Sequence, residues 1–166
     1  MEFDISAEGW PAPETLADDW ESLAGSVAEA ALGVAPELAN HRLSASLLFT
    51  DDAEVHALNR EWRGRDKPTN VLSFPMLARH ELLALPADGP PEMLGDIALA
   101  LETCTREAAE RHVELSTHVA HLVLHGLLHL AGHDHEPSDA AAEEMEALEI
   151  KALATLGIED PYGDRK

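Results

Sequence analysis

Apolar residues recur along the chain at two spacings, which predict helices and strands in alternation. Apolar positions three and four residues apart predict amphipathic helices, and short apolar blocks bounded by turn residues predict strands. The predicted helices run from Glu14 to Leu32, from Asp51 or Asp52 through Val55, Leu58, Asn59 and Trp62, from Glu102 to about His112, from Ser116 to Leu130, and from Ser138 or Asp139 to about Leu156.

Three short segments complete the predicted elements. They are the strands Leu43–Thr50, Asn70–Phe74 and Leu94–Leu101. Three prolines interrupt residues 76–93, so most of that stretch is predicted to be a surface loop. The whole pattern predicts an α+β fold, a small mixed β-sheet flanked by helices, in a single domain spanning residues 1–166.

The composition and the first residues indicate in which compartment the protein is expected. The chain has 166 residues and one cysteine, Cys104, so no disulfide can form within it. The first residues are acidic where a signal peptide would be basic. The longest apolar helical segment, Val119–Leu130, is interrupted by histidines and is too short to span a membrane. We therefore expect a soluble, cytoplasmic protein.

The charge balance is strongly acidic. Thirty-two acidic side chains against eleven basic ones give a formal net charge of −21. We expect most of the acids to be solvated, including four in the last helix: Glu143, Glu144, Glu146 and Glu149. Such a charge repels polyanions, so a nucleic-acid ligand requires a local cluster of cations. Four cations lie within eight positions and are called here the basic segment: Arg60, Arg63, Arg65 and Lys67.

The basic segment admits two interpretations. Its cations could bind phosphate, since an arginine can contact two phosphate oxygens and stabilise charge in a transition state. Alternatively, they could be solvated loop cations that pair with Glu61 and Asp66. Composition alone does not choose between these two interpretations.

Four of the ten histidines are spaced by three or four residues along one predicted helix. His125 and His129 are one helical turn apart, so both imidazoles can bind the same metal ion. Gly132 can turn the chain back and bring His135 round as a third ligand. Three protein ligands with an open fourth position are typical of a catalytic zinc site, and nickel or copper also suits imidazole ligands. The spacing predicts a hydrolytic, zinc-type centre.

Other polar residues near this motif have supporting roles in the prediction. We expect His118 and His121 to pack in the core or to support the ligands rather than to bind metal. His133 could support a ligand or be exposed. Asp134 and Asp96 are candidates for the general base, and each could instead make a structural hydrogen bond, so the base stays unassigned.

The spacing His-x3-His-x2-Gly-x2-His also occurs in the metzincin proteases. Those enzymes carry a glutamate directly after the first histidine, where it acts as the general base. Here that position is Gly126, which cannot accept a proton. The sequence therefore shares a zincin-like His-x3-His helix with these proteases but lacks their base.

Four motifs together resemble the YbeY family of bacterial endoribonucleases. They are HGLLHLAGHDH at 125–135, LNxxWRGxDKPTNVLSFP at 58–75, LGDI at 94–97, and EEMEALE at 143–149 followed by LG at 156–157. The matches run in order from about residue 51 to 162, and the first fifty residues are less distinctive. The chain departs from the family at His133, where the family usually has tyrosine.

The resemblance implies a metal-dependent endoribonuclease that cleaves single-stranded RNA in 16S rRNA 3′-end maturation and ribosome quality control. It implies His125, His129 and His135 as metal ligands and Arg63 as a catalytic residue, and we expect Arg65 and Lys67 to bind substrate. The implied partners are the small ribosomal subunit and the GTPase Era, without DNA or membrane. Two alternatives stay open: a metallopeptidase-like hydrolase, and a non-catalytic ribosome-associated module with a structural metal.

Overall fold

A four-stranded mixed β-sheet forms the centre of the fold. The computed structural model describes residues 1–133 and 138–162. The strands are β1 (Glu2–Ser6), β2 (Leu43–Thr50), β3 (Val71–Pro75) and β4 (Glu92–Ala100). They lie in the order β1-β2-β4-β3, with β1, β2 and β4 parallel and β3 antiparallel to β4. The predicted α+β class with a small mixed sheet is confirmed, and the single domain over residues 1–166 stays a prediction.

Helices connect the strands and cover the sheet. In the described residues they are α1 (Trp20–Leu32), α2 (Asp52–Arg63), α3 (Arg79–Ala84), α4 (Leu101–Glu110), α5 (Leu115–Leu130) and α6 (Asp139–Thr155), with a short 3₁₀ helix at Pro36–Ala39. Asp51 caps α2 and Ser138 caps α6, each through a side-chain oxygen that accepts a backbone N–H bond, which confirms one of the two caps predicted for each helix. No helix in these ranges is long and apolar enough to cross a membrane.

The two faces of the sheet bury different helices. Side chains alternate along β4, so Ile97 and Leu99 join the large core that contains α1, α5 and α6, while Ala98 and Ala100 pack with Val55 of α2. A Cβ atom at position 126 would lie 2.8 Å from Ile97 Cδ1, so Gly126 allows α5 to lie directly against β4. The helix that carries the predicted metal ligands is therefore held against the centre of the sheet.

The first helix begins later than the apolar pattern predicts. It starts at Trp20 with Asp19 as its cap, rather than at Glu14. The Glu14 carboxylate instead accepts hydrogen bonds from the backbone N–H groups of Leu115 and Ser116, at 2.9 and 3.1 Å. These are orphan donors in the first turn of α5, and a negative charge is favourable there. The predicted Ser116 cap is therefore wrong, because a residue from a distant segment takes that role.

Residues 76–93 are mostly loop, as predicted, but they also contain regular elements that the pattern did not reveal. They contain α3, β4 begins two residues earlier than predicted, and the pattern gave no sign of β1. Six residues are too few for a helical period to stand out in the sequence. Arg79 of α3 donates to the Ala131 carbonyl oxygen at 2.7 Å and lies 3.6 Å from Glu37. The C-terminal end of α5 is thereby fixed in place.

Candidate metal centre

His125 and His129 lie one turn apart near the C-terminal end of α5. Most of this helix is buried, but these two side chains stay partly exposed. His125 also lines a cleft of about 330 Å³ that runs between α4, α5 and the C-terminal segment and includes Glu107, His121 and Tyr162. The pair is thus accessible from solvent while its helix is held rigidly by the core.

A buried carboxylate orients the first histidine of the pair. Glu149 of α6 is 1% exposed, and its Oε1 atom lies 3.0 Å from His125 Nδ1 and 3.0 Å from His121 Nε2. The Tyr162 hydroxyl donates to the same carboxyl group at 3.1 Å. One side chain of α6 therefore joins two histidines of α5 to the C-terminal segment.

The ionisation of Glu149 decides where the protons of these rings are. Burial alone would raise its pKa, but hydrogen bonds from His121 and His125 outweigh burial and lower the pKa to about 2. An ionised carboxylate can only accept, so His125 Nδ1 and His121 Nε2 must carry protons. The lone pair of a neutral His125 ring is then on Nε2, the atom that would bind a metal ion.

The second histidine of the pair is held in a similar way. His129 Nδ1 is hydrogen-bonded to the Ser73 hydroxyl of the edge strand β3. Both ligand candidates are therefore restrained through Nδ1 by side chains from other elements. Rings restrained in this way are typical of metal-binding histidines, and the two imidazoles fit a zinc-type ion.

The predicted third ligand cannot be placed. His135 and the candidate base Asp134 lie outside the described residues. Within residues 1–133 and 138–162, no group of three or more histidine, cysteine, aspartate or glutamate side chains is arranged to hold a metal ion. The structure thus brings together two of the three predicted ligands, and the complete ligand set stays a prediction.

The remaining histidines near α5 have structural partners. His118 is buried, and its Nε2 atom lies 2.9 Å from Glu107 Oε1, which also accepts from Asn70. Burial lowers the pKa of His118, and the hydrogen bond to Glu107 opposes this only in part. The side chain of His133 lies beside Glu37 at 4.0 Å. His118 and His121 are both buried, as expected for packing residues.

Asp96 lies away from the histidine pair. It precedes Ile97 on β4, and since Ile97 meets Gly126 on α5, alternation places Asp96 on the opposite face of the sheet. This position argues against Asp96 as the general base of a centre at His125.

The basic segment is exposed at the end of α2 and in the loop that follows. Its four side chains make no ion pair within the described part of the chain, and Asp66 pairs instead with His56 at 2.7 Å. The alternative that these cations pair with Glu61 and Asp66 is therefore wrong. Since α2 packs on the face of the sheet opposite α5, the described contacts do not join Arg63, Arg65 or Lys67 to the histidine pair.

Three residues at the centre were missed by the sequence analysis. Ser73 lies within the motif at 58–75 but was given no role, Tyr162 carried no motif signal, and Glu149 was expected to face outward but is buried. The helical spacing of Met145, Glu149 and Leu153 could have placed Glu149 on the buried face, because residues four apart share one side of a helix.

The fold and the oriented histidine pair define an α+β protein with a candidate histidine metal centre. Comparisons with known proteins specify the family. The model of the family described as Endoribonuclease YbeY matches residues 12–157, so the chain belongs to the YbeY family.

Individual relatives agree with this assignment. Proteins named Endoribonuclease YbeY are 64% identical over 165 residues in Erythrobacter litoralis, covering 99% of both chains, and 63% identical over 145 residues in Novosphingobium aromaticivorans, covering 87% of both chains. The solution structure of TM1509 from Thermotoga maritima is similar with a TM-score of 0.55 and 22% identity, covering 98% of this chain and 99% of that one. This last likeness concerns the fold alone.

Replacing Glu149 tests the central hydrogen-bond network. We expect Glu149→Gln to lower the free energy of unfolding by about 1–3 kcal/mol, because buried donors lose a charged acceptor. Glu143→Gln, an exposed position on the same helix, removes the same charge and should change stability little. Urea denaturation in the presence of a chelator measures both effects, and equal stabilities for the two variants would contradict the network.

His118 makes stability depend on pH. Its pKa is lowered in the folded state, so below its ordinary value of 6.5 the unfolded chain binds more protons than the folded one. We therefore expect the free energy of unfolding to decrease as the pH falls below 6.5. His118→Gln should reduce this decrease when urea denaturation is compared at pH 7.5 and 5.5. An identical decrease in the variant would show that His118 is not responsible.

Proposed function

We propose that this chain is a metal-dependent endoribonuclease that cleaves single-stranded RNA. The observation that carries the proposal is the histidine pair of α5, in which His125 and His129 are each restrained through Nδ1 by another element. Support also comes from the relatives, which are named endoribonucleases.

The proposed ligands are His125, His129 and His135, and the proposed ion is zinc, with nickel or another divalent metal as a substitute. When bound, the ion supplies Lewis-acid chemistry that promotes hydrolysis of a phosphodiester. Glu149 holds the proton on His125 Nδ1 and fixes that ring. A carboxylate in this position also raises the basicity of a ligand histidine, which strengthens metal binding.

Arg63 is the proposed catalytic residue outside the metal site. Its guanidinium group can contact two phosphate oxygens and offset charge that develops during cleavage. Arg65 and Lys67 are the proposed contacts to flanking phosphates. Their lack of ion pairs in the described chain supports this role, because a protein with 32 acidic side chains offers many carboxylates that could have paired with them.

The structure favours RNA over a peptide substrate. In a metzincin-type peptidase the general base follows the first histidine, and here that position is Gly126, which packs against Ile97. A side chain there would meet Ile97 Cδ1 at 2.8 Å, so Ile97 would have to shift to make room for a base. The basic segment, in contrast, suits a phosphodiester chain.

The proposed biological role follows from the family. We propose that the substrate is 16S rRNA in the cytoplasm, that the reactions are 3′-end maturation and ribosome quality control, and that the small ribosomal subunit and the GTPase Era are partners. A net charge of −21 repels RNA at long range. Binding of isolated RNA should therefore be weak, and a partner that presents the substrate would compensate for this repulsion.

Removing the Arg63 guanidinium tests the proposed function. We expect Arg63→Ala to fold normally and to cleave a labelled single-stranded RNA on the order of 100-fold more slowly than the wild type, because one charge-stabilising group is lost. Lys151→Ala is the matched control, since Lys151 is an exposed cation of α6 and its removal changes the net charge equally. The control should cleave at the wild-type rate.

Three other results would contradict the proposal. If Arg63→Ala cleaved RNA at the wild-type rate, Arg63 would not be a catalytic residue. Metal-dependent cleavage of peptides without cleavage of RNA would favour the metallopeptidase. A wild-type protein that binds metal and small ribosomal subunits but cleaves neither polymer would indicate a non-catalytic module.

A further inference from the structure

Trp62 is an exposed aromatic side chain where the helical period predicts a buried one. It follows Val55 and Leu58 on the apolar side of α2, yet it is 69% exposed, more than any other large apolar residue in the described chain. Val55 and Leu58 pack with the small core on this face of the sheet, and Trp62 is not part of that core. Its indole ring is therefore presented to solvent.

The basic segment surrounds Trp62 in the sequence. Arg60 and Arg63 share its helical end, and Arg65 and Lys67 follow within five positions. These cations are exposed and form no ion pair in residues 1–133 and 138–162. The net charge of the chain is −21, so a local cluster of cations without ion pairs is unusual. Such cations can bind the phosphates of a polyanion, and the aromatic ring beside them in the sequence can stack on its flat, apolar groups.

The backbone holds this surface in a defined shape. Gly64 ends α2 in a left-handed conformation with φ +67°. The buried Asn59 side chain then donates to the Lys67 carbonyl oxygen at 2.9 Å, and the Arg65 N–H donates to the Asn59 carbonyl oxygen at 3.2 Å. The segment that carries the cations is thus tied back to the helix that carries Trp62. Such pre-organisation reduces the entropy lost when a ligand binds.

We propose that Trp62 is a stacking platform for one unpaired base of single-stranded RNA, with the basic segment contacting the neighbouring phosphates. Stacking on an aromatic face tolerates any base, and it requires a base that is not already paired and stacked in a duplex. Trp62 therefore supplies a physical source for single-strand preference. This inference rests on the proposed function and adds a base-binding subsite to it.

The test compares ring and base deletions in one cycle. The probe is a fluorescently labelled 2′-O-methyl oligonucleotide, and a gel checks that it stays intact. Its fluorescence anisotropy is measured during titration with the wild type and with Trp62→Ala, Trp62→Leu and Trp62→Phe. We expect Trp62→Ala and Trp62→Leu to weaken binding about 5- to 100-fold, as for other aromatic residues that stack on bases. Trp62→Phe should restore most of the affinity. Leu83→Ala, an exposed apolar control on α3, should bind like the wild type.

An abasic oligonucleotide completes the cycle. Removing the bases should weaken binding to the wild type but hardly affect binding to Trp62→Ala, because the two deletions remove the same contact. Dependence on salt separates the ring from the cations. Arg63→Ala should reduce the slope of log affinity against log salt by about 0.7, and Trp62→Ala should leave the slope unchanged.

The outcomes distinguish this inference from the proposed function. If the wild type neither binds nor cleaves single-stranded RNA, the proposed function fails. If it does both and Trp62→Ala binds equally well, only the stacking platform is excluded. Full affinity in Trp62→Leu would also overturn stacking. Stacking would also be excluded if Trp62→Ala bound RNA normally but no longer bound small ribosomal subunits. That result would make Trp62 a contact to a protein.

Discussion

The Glu149 carboxylate is a charge buried between α5 and α6, and the arrangement of the centre depends on it. Burying an ion costs several kcal/mol unless strong hydrogen bonds replace its hydration. Here His121, His125 and Tyr162 supply those bonds. The same bonds fix the position of α6 against α5 and the proton on the first histidine of the pair. The same hydrogen bonds therefore determine both how α6 packs on α5 and how His125 is oriented.

The two halves of the proposed active surface lie on different faces of the sheet. The histidine pair is on the α5 face, and the basic segment ends α2 on the other face. The edge strand β3 connects them, because the basic segment leads into it and its Ser73 contacts His129. An extended polymer that crosses the edge of the sheet can contact both. This geometry fits the RNA substrate that we propose.

Local sequence patterns predicted the elements that depend on local contacts. The α+β class, the strand at β2 and the caps Asp51 and Ser138 follow from apolar spacing and side-chain chemistry within a few residues. Two of the errors concern long-range contacts. Glu14 caps a helix about one hundred positions away, and a hydrogen-bond network hides the charge of Glu149. Helical spacing can indicate that Glu149 is buried, but it does not identify the distant partners, so the structure was needed to find these contacts.

Part of the candidate site could be predicted from the sequence, and part could not. His125 and His129 were recognisable because helical geometry alone brings residues four apart together. The groups that orient them, Glu149 and Ser73, come from other elements, and their contacts with the histidines are visible only in the folded chain. For Trp62 the helical period predicted burial, but the side chain is exposed. The core beneath α2 does not extend as far as this residue.

The most direct test of the account is the metal content of freshly purified protein, measured by inductively coupled plasma mass spectrometry. The proposed metal centre should hold about one divalent ion per chain in the wild type. His125→Ala should be nearly free of metal while circular dichroism shows it folded. His118→Gln should keep the ion, because His118 lies on the same helical stripe but pairs with Glu107. Much less than one ion in the wild type, or an unchanged content in His125→Ala, would contradict the metal centre.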